Sequence, residues 1–410
     1  MVAEKLGRRM TGILMTVPLC LCWLLIIFAT NYSYLYVGRF FAGVGGATCF
    51  LLVPLYVSEI SADSIRGQLG SFLMFANNIG VLLGYVIGAG MSFRLSAIFS
   101  LAMPLLFLAG FFFMPETPVY LVQRDRMDDA ARSLLWLKNG DKAAADREFL
   151  RLQPSLNKNT VEQNKSVGLK DLFRDQGTRK GLGIICGLLC GQQLCGITVM
   201  LSYAATIFKM AGSSLSPNTA AIIIGSIQVV GSWVSTALME RAGRRPLLMV
   251  SCAGMALCHC TIAIFCKLLD DGYDVDYFRW IPVTALSIYA LSYSVGMSSA
   301  PFVVGSEIFT PDIRGLANTV AQIIMWGLAF LLVKFFPAMM NAMGVSGCFF
   351  FLGLCCVVSF IFIFILVPET KGRTLESIID ELNGFTGVLN EKNYVKAAFE
   401  ISQENINFPK

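Results

Sequence analysis

Glu240-Arg241-Ala242-Gly243-Arg244-Arg245 lies between two runs free of Asp, Glu, Lys and Arg, 217–239 and 246–266. Glu4-Lys5-Leu6-Gly7-Arg8-Arg9 stands 236 residues earlier, just ahead of another such run, 10–30. Two further landmarks recur in the same order. Ser58-Glu59-Ile60 with Ile65-Arg66-Gly67 returns as Ser306-Glu307-Ile308 with Ile313-Arg314-Gly315, and Pro115-Glu116-Thr117 returns as Pro368-Glu369-Thr370. Their offsets of 248 and 253 keep the register nearly constant. In each copy two uncharged runs separate the first landmark from the second, and two more separate the second from the third. This is a duplicated unit, as in transporters built from repeats.

The uncharged runs are 10–30, 40–58, 67–90, 95–114, 181–208, 217–239, 246–266, 281–306, 315–340 and 346–367, interrupted only by Lys334. A helix needs about 20 apolar residues to cross the hydrocarbon of a bilayer. Backbone groups in lipid must pair among themselves, and runs this long suit helices rather than barrel strands. Lys334 sits near the end of its run, where a long side chain snorkels. The expected fold is therefore all-α and polytopic, with ten membrane spans.

Composition excludes much else. The chain is 55% apolar and 14% charged, where a soluble domain carries about 25% charged residues. Its net charge of +5 arises between long uncharged runs, which argues against a nucleic-acid partner. Nearly all of its 13 cysteines fall inside apolar stretches without ligand-type spacing, so neither a disulfide scaffold nor a metal site is expected. Cys258-His259-Cys260 points in three directions on a helix and cannot chelate alone. No Walker-type loop or catalytic constellation is present, so no nucleotide, cofactor or enzymatic chemistry is implied.

Orientation follows from the basic residues. One set of connections holds 26 Lys and Arg, the other six, and without the long segment 116–180 the balance is still 13 against six. The positive-inside rule puts both termini in the cytoplasm. The expected organisation is an N-terminal bundle of four spans over 1–114, a cytoplasmic linker over 115–180 with short helices such as Met127–Lys138, a six-helix bundle over 181–367 and a cytoplasmic tail over 368–410. The second copy has two runs, 181–208 and 217–239, ahead of its first landmark, and the first copy has none. Symmetry thus expects six spans per half, with two helices missing at the N-terminus through a shortened gene model or isoform.

Together these motifs resemble the sugar-porter family of the major facilitator superfamily, and within it the insect facilitated trehalose/hexose transporters. Arg39 with Gly43, Gly45 and Gly46, then Pro54, Tyr56, Glu59, Arg66 and Gly67, is similar to the first-half signature. Pro115-Glu116-Thr117-Pro118, Gln192-Gln193-Leu194-Cys195-Gly196-Ile197 and Pro368-Glu369-Thr370-Lys371-Gly372-Arg373-Thr374 are similar to motifs that follow or lie within the sixth, seventh and twelfth helices of the family. The resemblance implies a major facilitator fold, with ten of the family's twelve helices here. It also implies a carrier in the plasma membrane that moves a hexose or disaccharide by alternating access, without a cofactor. Facilitation is favoured over proton symport because no Asp or Glu lies mid-span, although the family's usual proton site is on a helix this chain lacks. The alternative is a non-transporting sugar sensor or an inactive truncated isoform.

A sugar presents neutral hydroxyls that both donate and accept, so amides suit them, and flat aromatics cover the C–H face of the ring. Gln192 and Gln193 sit mid-run. Adjacent helical residues diverge by about 100°, so one faces the cavity while the other bonds a neighbouring helix, or both are interhelical glue. The family pattern favours Gln193 as a ligand, with Gln192 close by, and places Gln228 and Trp326 at cavity positions; Tyr203 is expected at a gate above the site. Asn77 and Asn78 are the amides of run 67–90, and one of them, Asn77, is expected to face the cavity. Thr198 stands where the family has Asn, Phe302 where it has Trp, and Met74 where many relatives have Gln. With fewer prolines around Gly296–Phe302, a stiffer tenth helix is expected. These departures speak against ordinary glucose selectivity. Arg8, Arg9, Glu59, Arg66, Glu240, Arg244, Arg245, Glu307 and Arg314 form the expected cytoplasmic gate, an ion-pair network joining the halves, since arginine bonds carboxylates bidentately.

Overall fold

Hydrocarbon offers a backbone N–H or C=O no partner, so each uncharged run folds by bonding to itself. The computed structural model describes residues 5–61, 66–150, 170–173, 175–210, 216–373 and 375–383, and among the described residues there is no strand. An N-terminal group comprises α1 (Arg8–Ile27), α2 (Tyr32–Ile60), α3 (Arg66–Gly90) and α4 (Phe93–Phe111). The short helices α5 (Pro118–Gln123) and α6 (Met127–Leu137) follow, the latter where the amphipathic helix is expected.

A C-terminal group comprises α7 (Gln176–Leu194), α8 (Ile197–Met210), α9 (Pro217–Ala242), α10 (Arg244–Asp270), α11 (Ile281–Ser292), α12 (Ala300–Ile308) and α13 (Pro311–Leu366). The amphipathic helix α14 (Leu375–Asn383) buries Ile378 and Leu382 against this group, and Asn383 Oδ1 accepts the Gly177 N–H at 2.7 Å.

Among the described residues, eight helical stretches are long and apolar enough to span a bilayer, and α3 adds a shorter apolar stretch, Met74–Gly90. Two of the eight are composite, α7 with α8 and α11 with α12. Runs 315–340 and 346–367 meet without a loop inside α13, which breaks at Gly344 with φ 71°. Only glycine takes that conformation cheaply, so the chain turns there between two helical segments.

The main core lies in the C-terminal group, where Leu248, Met255 and Ile262 of α10 meet Leu286 and Tyr289 of α11 and Phe349 of α13. The N-terminal group buries a small cluster around Cys22, Ile26 and Ala97. Phe40, Leu106, Val250 and Leu257 stay exposed on helices that are apolar around their whole circumference. Surface of this kind has lipid as its solvent, and the chain is an integral membrane protein. The two groups meet mainly along α3 and α9.

Each group is latched at one end by a carboxylate. Glu116 accepts the N–H groups of Arg8 at 2.9 Å and Arg9 at 3.1 Å, the first turn of α1. Glu369 accepts those of Arg244 at 3.0 Å and Arg245 at 3.1 Å, the first turn of α10. These are donors that a helix start leaves unpaired, facing an acceptor whose charge also suits the helix dipole. The preceding glycines make room: Gly7 has φ 91° and Gly243 has φ 94°. A Cβ on Gly243 would lie 2.7 Å from Glu369 Oε2.

Gly243→Ala therefore displaces the carboxylate as well as straining the backbone, at a cost of about 2 kcal/mol. Gly272 shares the positive φ but has open space around its Cβ position. Thermal unfolding in detergent should show Gly243→Ala lowering the melting temperature clearly more than Gly272→Ala, and equal shifts would contradict the latch.

Candidate functional site

The Gly191-Gln192-Gln193-Leu194-Cys195-Gly196 stretch ends α7 in a break, with Gly196 at φ 88° donating its N–H to the Gln193 carbonyl at 2.9 Å. Both amides just before the break are buried, Gln192 at 3% and Gln193 at 5% exposure. Gln192 Nε2 donates to the Met297 carbonyl at 2.8 Å and the Ser298 carbonyl at 3.3 Å. Gln193 Oε1 accepts the Thr198 hydroxyl from the first turn of α8. Of the two, Gln192 is thus the one tied to a neighbouring helix.

Those carbonyls are free because Pro301, one helical turn beyond Met297, has no N–H to give, and the Phe302 N–H goes to the Ser299 carbonyl at 3.2 Å instead of to Ser298. Between α11 and α12 the helix widens into a π turn, Tyr293–Met297, with Ser298 N–H bonded to the Tyr293 carbonyl at 2.9 Å. Ser251 of α10 inserts there: its hydroxyl donates to the Ser292 carbonyl at 2.7 Å and accepts the Met297 N–H at 3.1 Å. Gly296 lets the α10 backbone approach, since a Cβ would lie 2.4 Å from the Leu247 carbonyl oxygen. The stiffer helix expected from the missing prolines is not what forms. A serine hydroxyl opens the ladder instead, and π turns of this kind cluster at functional sites.

The amide line continues across the molecule. Ser299 and Ser235 of α9 share a hydrogen bond of 3.0 Å. One turn earlier on α9, Ser232 donates to the Gln228 carbonyl at 2.8 Å, and Asn78 of α3 donates to Ser232 Oγ. Gln228 is 2% exposed and its Oε1 has no partner among the described residues. Nearby, Gly225 packs on Leu82 and Tyr85, and the Tyr85 hydroxyl reaches the Leu201 carbonyl at 3.2 Å. Asn78 is therefore the amide turned toward the C-terminal group, whereas Asn77 is exposed. One residue of helical phase separates the two, and the sequence alone does not supply it.

Other expected site residues lie off this line. The Tyr203 hydroxyl donates to the Val333 carbonyl of α13 at 3.1 Å, with its ring 5.4 Å from that of Phe336. Phe302 packs half-buried against the C-terminal core. Trp326 is half-exposed and faces Phe50 of α2 at 6.2 Å, so this aromatic pair crosses between the groups.

The charged residues pair within groups. Arg8 forks onto Glu59 through Nε and Nη2, at 3.0 and 2.8 Å, and Arg244 Nη2 meets Glu307 at 2.8 Å. Thr117 and Thr370 hydroxyls donate to the same two glutamates, at 2.6 and 2.5 Å. Arg9 and Arg245 reach the carbonyls of Phe112 and Phe364. All three repeated landmarks thus converge in one cluster per group. The network expected to join the halves is differently built, because a single glycine, Gly7 or Gly243, stands directly before α1 or α10 and delivers Arg8 or Arg244 to the helix end of its own group. Among the described residues, Arg314 approaches the other side. It lines a groove of about 330 Å³ with Glu59 and Lys138 while donating to the Phe309 carbonyl at 3.2 Å. The side chains of Arg66 and Glu240 lie outside the described residues. Glu116, Thr117, Ser232, Ser251 and Phe50 were not among the expected site residues, and only the first two carried a signal, through the repeated Pro-Glu-Thr.

The sequence profile of the family described as "Sugar (and other) transporter" matches residues 1–382. The Facilitated trehalose transporter Tret1 of Aedes aegypti is 34% identical over 381 residues, covering 93% of this chain and 47% of that protein. The Tret1 of Culex quinquefasciatus is 33% identical over 381 residues, covering 93% of this chain and 73% of that protein. The chain thus spans about half the length of the Aedes relative. The inward-open structure of the xylose transporter XylE from E. coli superposes with a TM-score of 0.73 at 23% identity, covering 92% of this chain and 83% of that one.

Burial opposes ionisation of the Glu369 carboxyl, but the N–H groups of Lys371, Arg244, Arg245 and Thr370 outweigh it and hold its pKa below the usual glutamate value. An unfolded glutamate titrates near about 4.3, so this stabilisation is complete above that range and fades as pH falls through the lower folded value. Glu369→Gln should accordingly melt below the unaltered protein at pH 7, and the gap should shrink in acid below the glutamate range. A gap that stayed constant with pH would contradict this.

Proposed function

The chain belongs to the sugar transporter family, and from that footing we propose that it carries a hexose or a disaccharide of the trehalose type across a membrane by alternating access. Family members are transporters rather than enzymes. The observation that carries the reading is the polar line from Gln192 through Ser299 and Ser235 to Ser232 and Asn78, set in spans that are otherwise apolar and crossing from one helical group to the other. Polar groups at membrane depth persist where they meet a cavity or each other, and amides and hydroxyls without charge match the chemistry of a sugar.

In this reading Gln193, Gln192, Thr198 and Gln228 supply hydrogen bonds, while Phe302 and Trp326 cover the apolar face of the ring. Asn78 takes the place of Asn77, and Tyr203 closes the site from above. Ten crossings, counting α13 as two, fall into a bundle of four over 1–114 and a bundle of six over 181–367. The linker 115–180, the tail 368–410 and both termini face the cytoplasm, and the membrane is the plasma membrane. The arginine–glutamate clusters then sit on the cytoplasmic side as rigid corners of each half, and Arg314, across the groove from Glu59, closes the gate between them. Sugar moves down its gradient, because the uncharged runs of this chain hold no Asp or Glu to carry a proton.

Reconstitution of the 410-residue chain in liposomes tests this. Uptake of labelled trehalose or glucose should saturate, equilibrate without accumulation and ignore an imposed pH gradient. Gln193→Ala should raise KM about tenfold, the effect of one uncompensated hydrogen bond. Absence of saturable uptake of either sugar, or uptake indifferent to Gln193→Ala, would overturn the reading.

A further inference from the structure

The molecule's one histidine has no part in the site as described above. His259 of α10 is wholly buried and its Nε2 lies 3.0 Å from the Cys195 carbonyl oxygen. The Tyr289 hydroxyl of α11 donates to that same oxygen at 2.9 Å. The two rings pack at 4.8 Å, and Phe349 of α13 backs the histidine at 5.7 Å. Cys195 lies two residues after Gln193 and directly before Gly196, where the helix changes direction.

A carbonyl oxygen has two lone pairs and accepts only. With donors from two different helices it is saturated, and the imidazole must carry its proton on Nε2. Nδ1 is then the bare nitrogen, buried and without a partner among the described residues. A histidine held with one nitrogen unpaired in an apolar core is costly, and packing alone would be served by any ring of that size. What the histidine adds to a phenylalanine is one donor, aimed at the carbonyl that closes α7. A helix end leaves its last carbonyls without helical donors, so at membrane depth a break is tolerated only where side chains replace them.

We propose that His259 and Tyr289 are positioning residues. By jointly holding the Cys195 carbonyl they fix the α7–α8 break, and so set the angle at which Gln193 and Thr198 meet a sugar. The inference rests on the transport reading for its consequence but not for its geometry. Neither residue touches the ligand. Losing one donor lets the break re-form nearer a straight helix, which moves Gln193 relative to Gln192, whose own anchor on Met297 is unaffected.

The test uses the full chain in lipid nanodiscs and liposomes, with trehalose and glucose as probes. His259→Phe and Tyr289→Phe keep the ring and remove the donor, and His259→Gln restores an N–H. The expected result is a KM about fivefold higher in both phenylalanine variants, with kcat within about twofold and recovery in His259→Gln. Amide hydrogen exchange over 193–200 should accelerate in the two phenylalanine variants alone. Because the chain has a single histidine, ring-nitrogen NMR of histidine-labelled protein reads its tautomer directly, and should show Nε2–H. Unchanged KM with unchanged exchange, equal losses in kcat across all three variants, or an Nδ1–H tautomer would each overturn the proposal. Should the unaltered chain handle neither sugar, the transport reading fails. The exchange and tautomer results then still decide the clamp, for or against.

Discussion

A helix entering a membrane leaves its first N–H groups without partners, and a carboxylate placed on them holds the rest of this structure in register. Glu116 and Glu369 do this for α1 and α10. The threonine after each of them donates to Glu59 or Glu307, and each of those glutamates also receives the arginine that opens the capped helix. Three separated pieces of chain are thereby tied at one point in each group. Charge-assisted bonds of this kind are about twice as strong as neutral ones, and the Arg8–Glu59 pair is largely shielded from water. Each group is thereby held together firmly at this end, and the proposed alternating access places the movement at the surface between them.

That surface is of different character. Between α3 and α9 a glycine lies against a tyrosine and an asparagine on a serine, and α3 also sets a tyrosine on a backbone carbonyl of α8. Such neutral bonds contribute about 1 kcal/mol each and can be exchanged for bonds to a sugar hydroxyl at little cost. A carrier needs two arrangements separated by only a few kcal/mol. Strong charge pairing inside each half and weak neutral pairing between halves meets that requirement.

The duplicated architecture was legible because its signals are local: six residues around Gly243, three around Glu369, and runs without charge on either side. Which carboxylate meets which arginine was less so. Pairing depends on how a short turn aims a side chain, and Arg8 and Arg244 turned inward to their own half instead of across. The choice between Asn77 and Asn78 is a matter of helical phase in a helix apolar on all sides, where no amphipathic stripe sets the phase. Ser251 was invisible for another reason. One serine in an apolar run is common, and only its position against Ser292 and Met297 makes it the wedge of a π turn. His259 could be seen but not interpreted, since its partner is a backbone carbonyl 64 residues away.

The proposed movement of two rigid halves about a neutral seam makes a prediction about distances. Fluorophores placed through non-canonical residues at Lys138 and Lys371 report on separation of the halves, and a pair at Lys267 and Lys371 reports within one half. Single-molecule energy transfer in nanodiscs should show the first pair alternating between two separations, with trehalose or glucose shifting their populations, while the second pair stays fixed. One invariant separation for the first pair, or a sugar-dependent change in the second, would contradict the account.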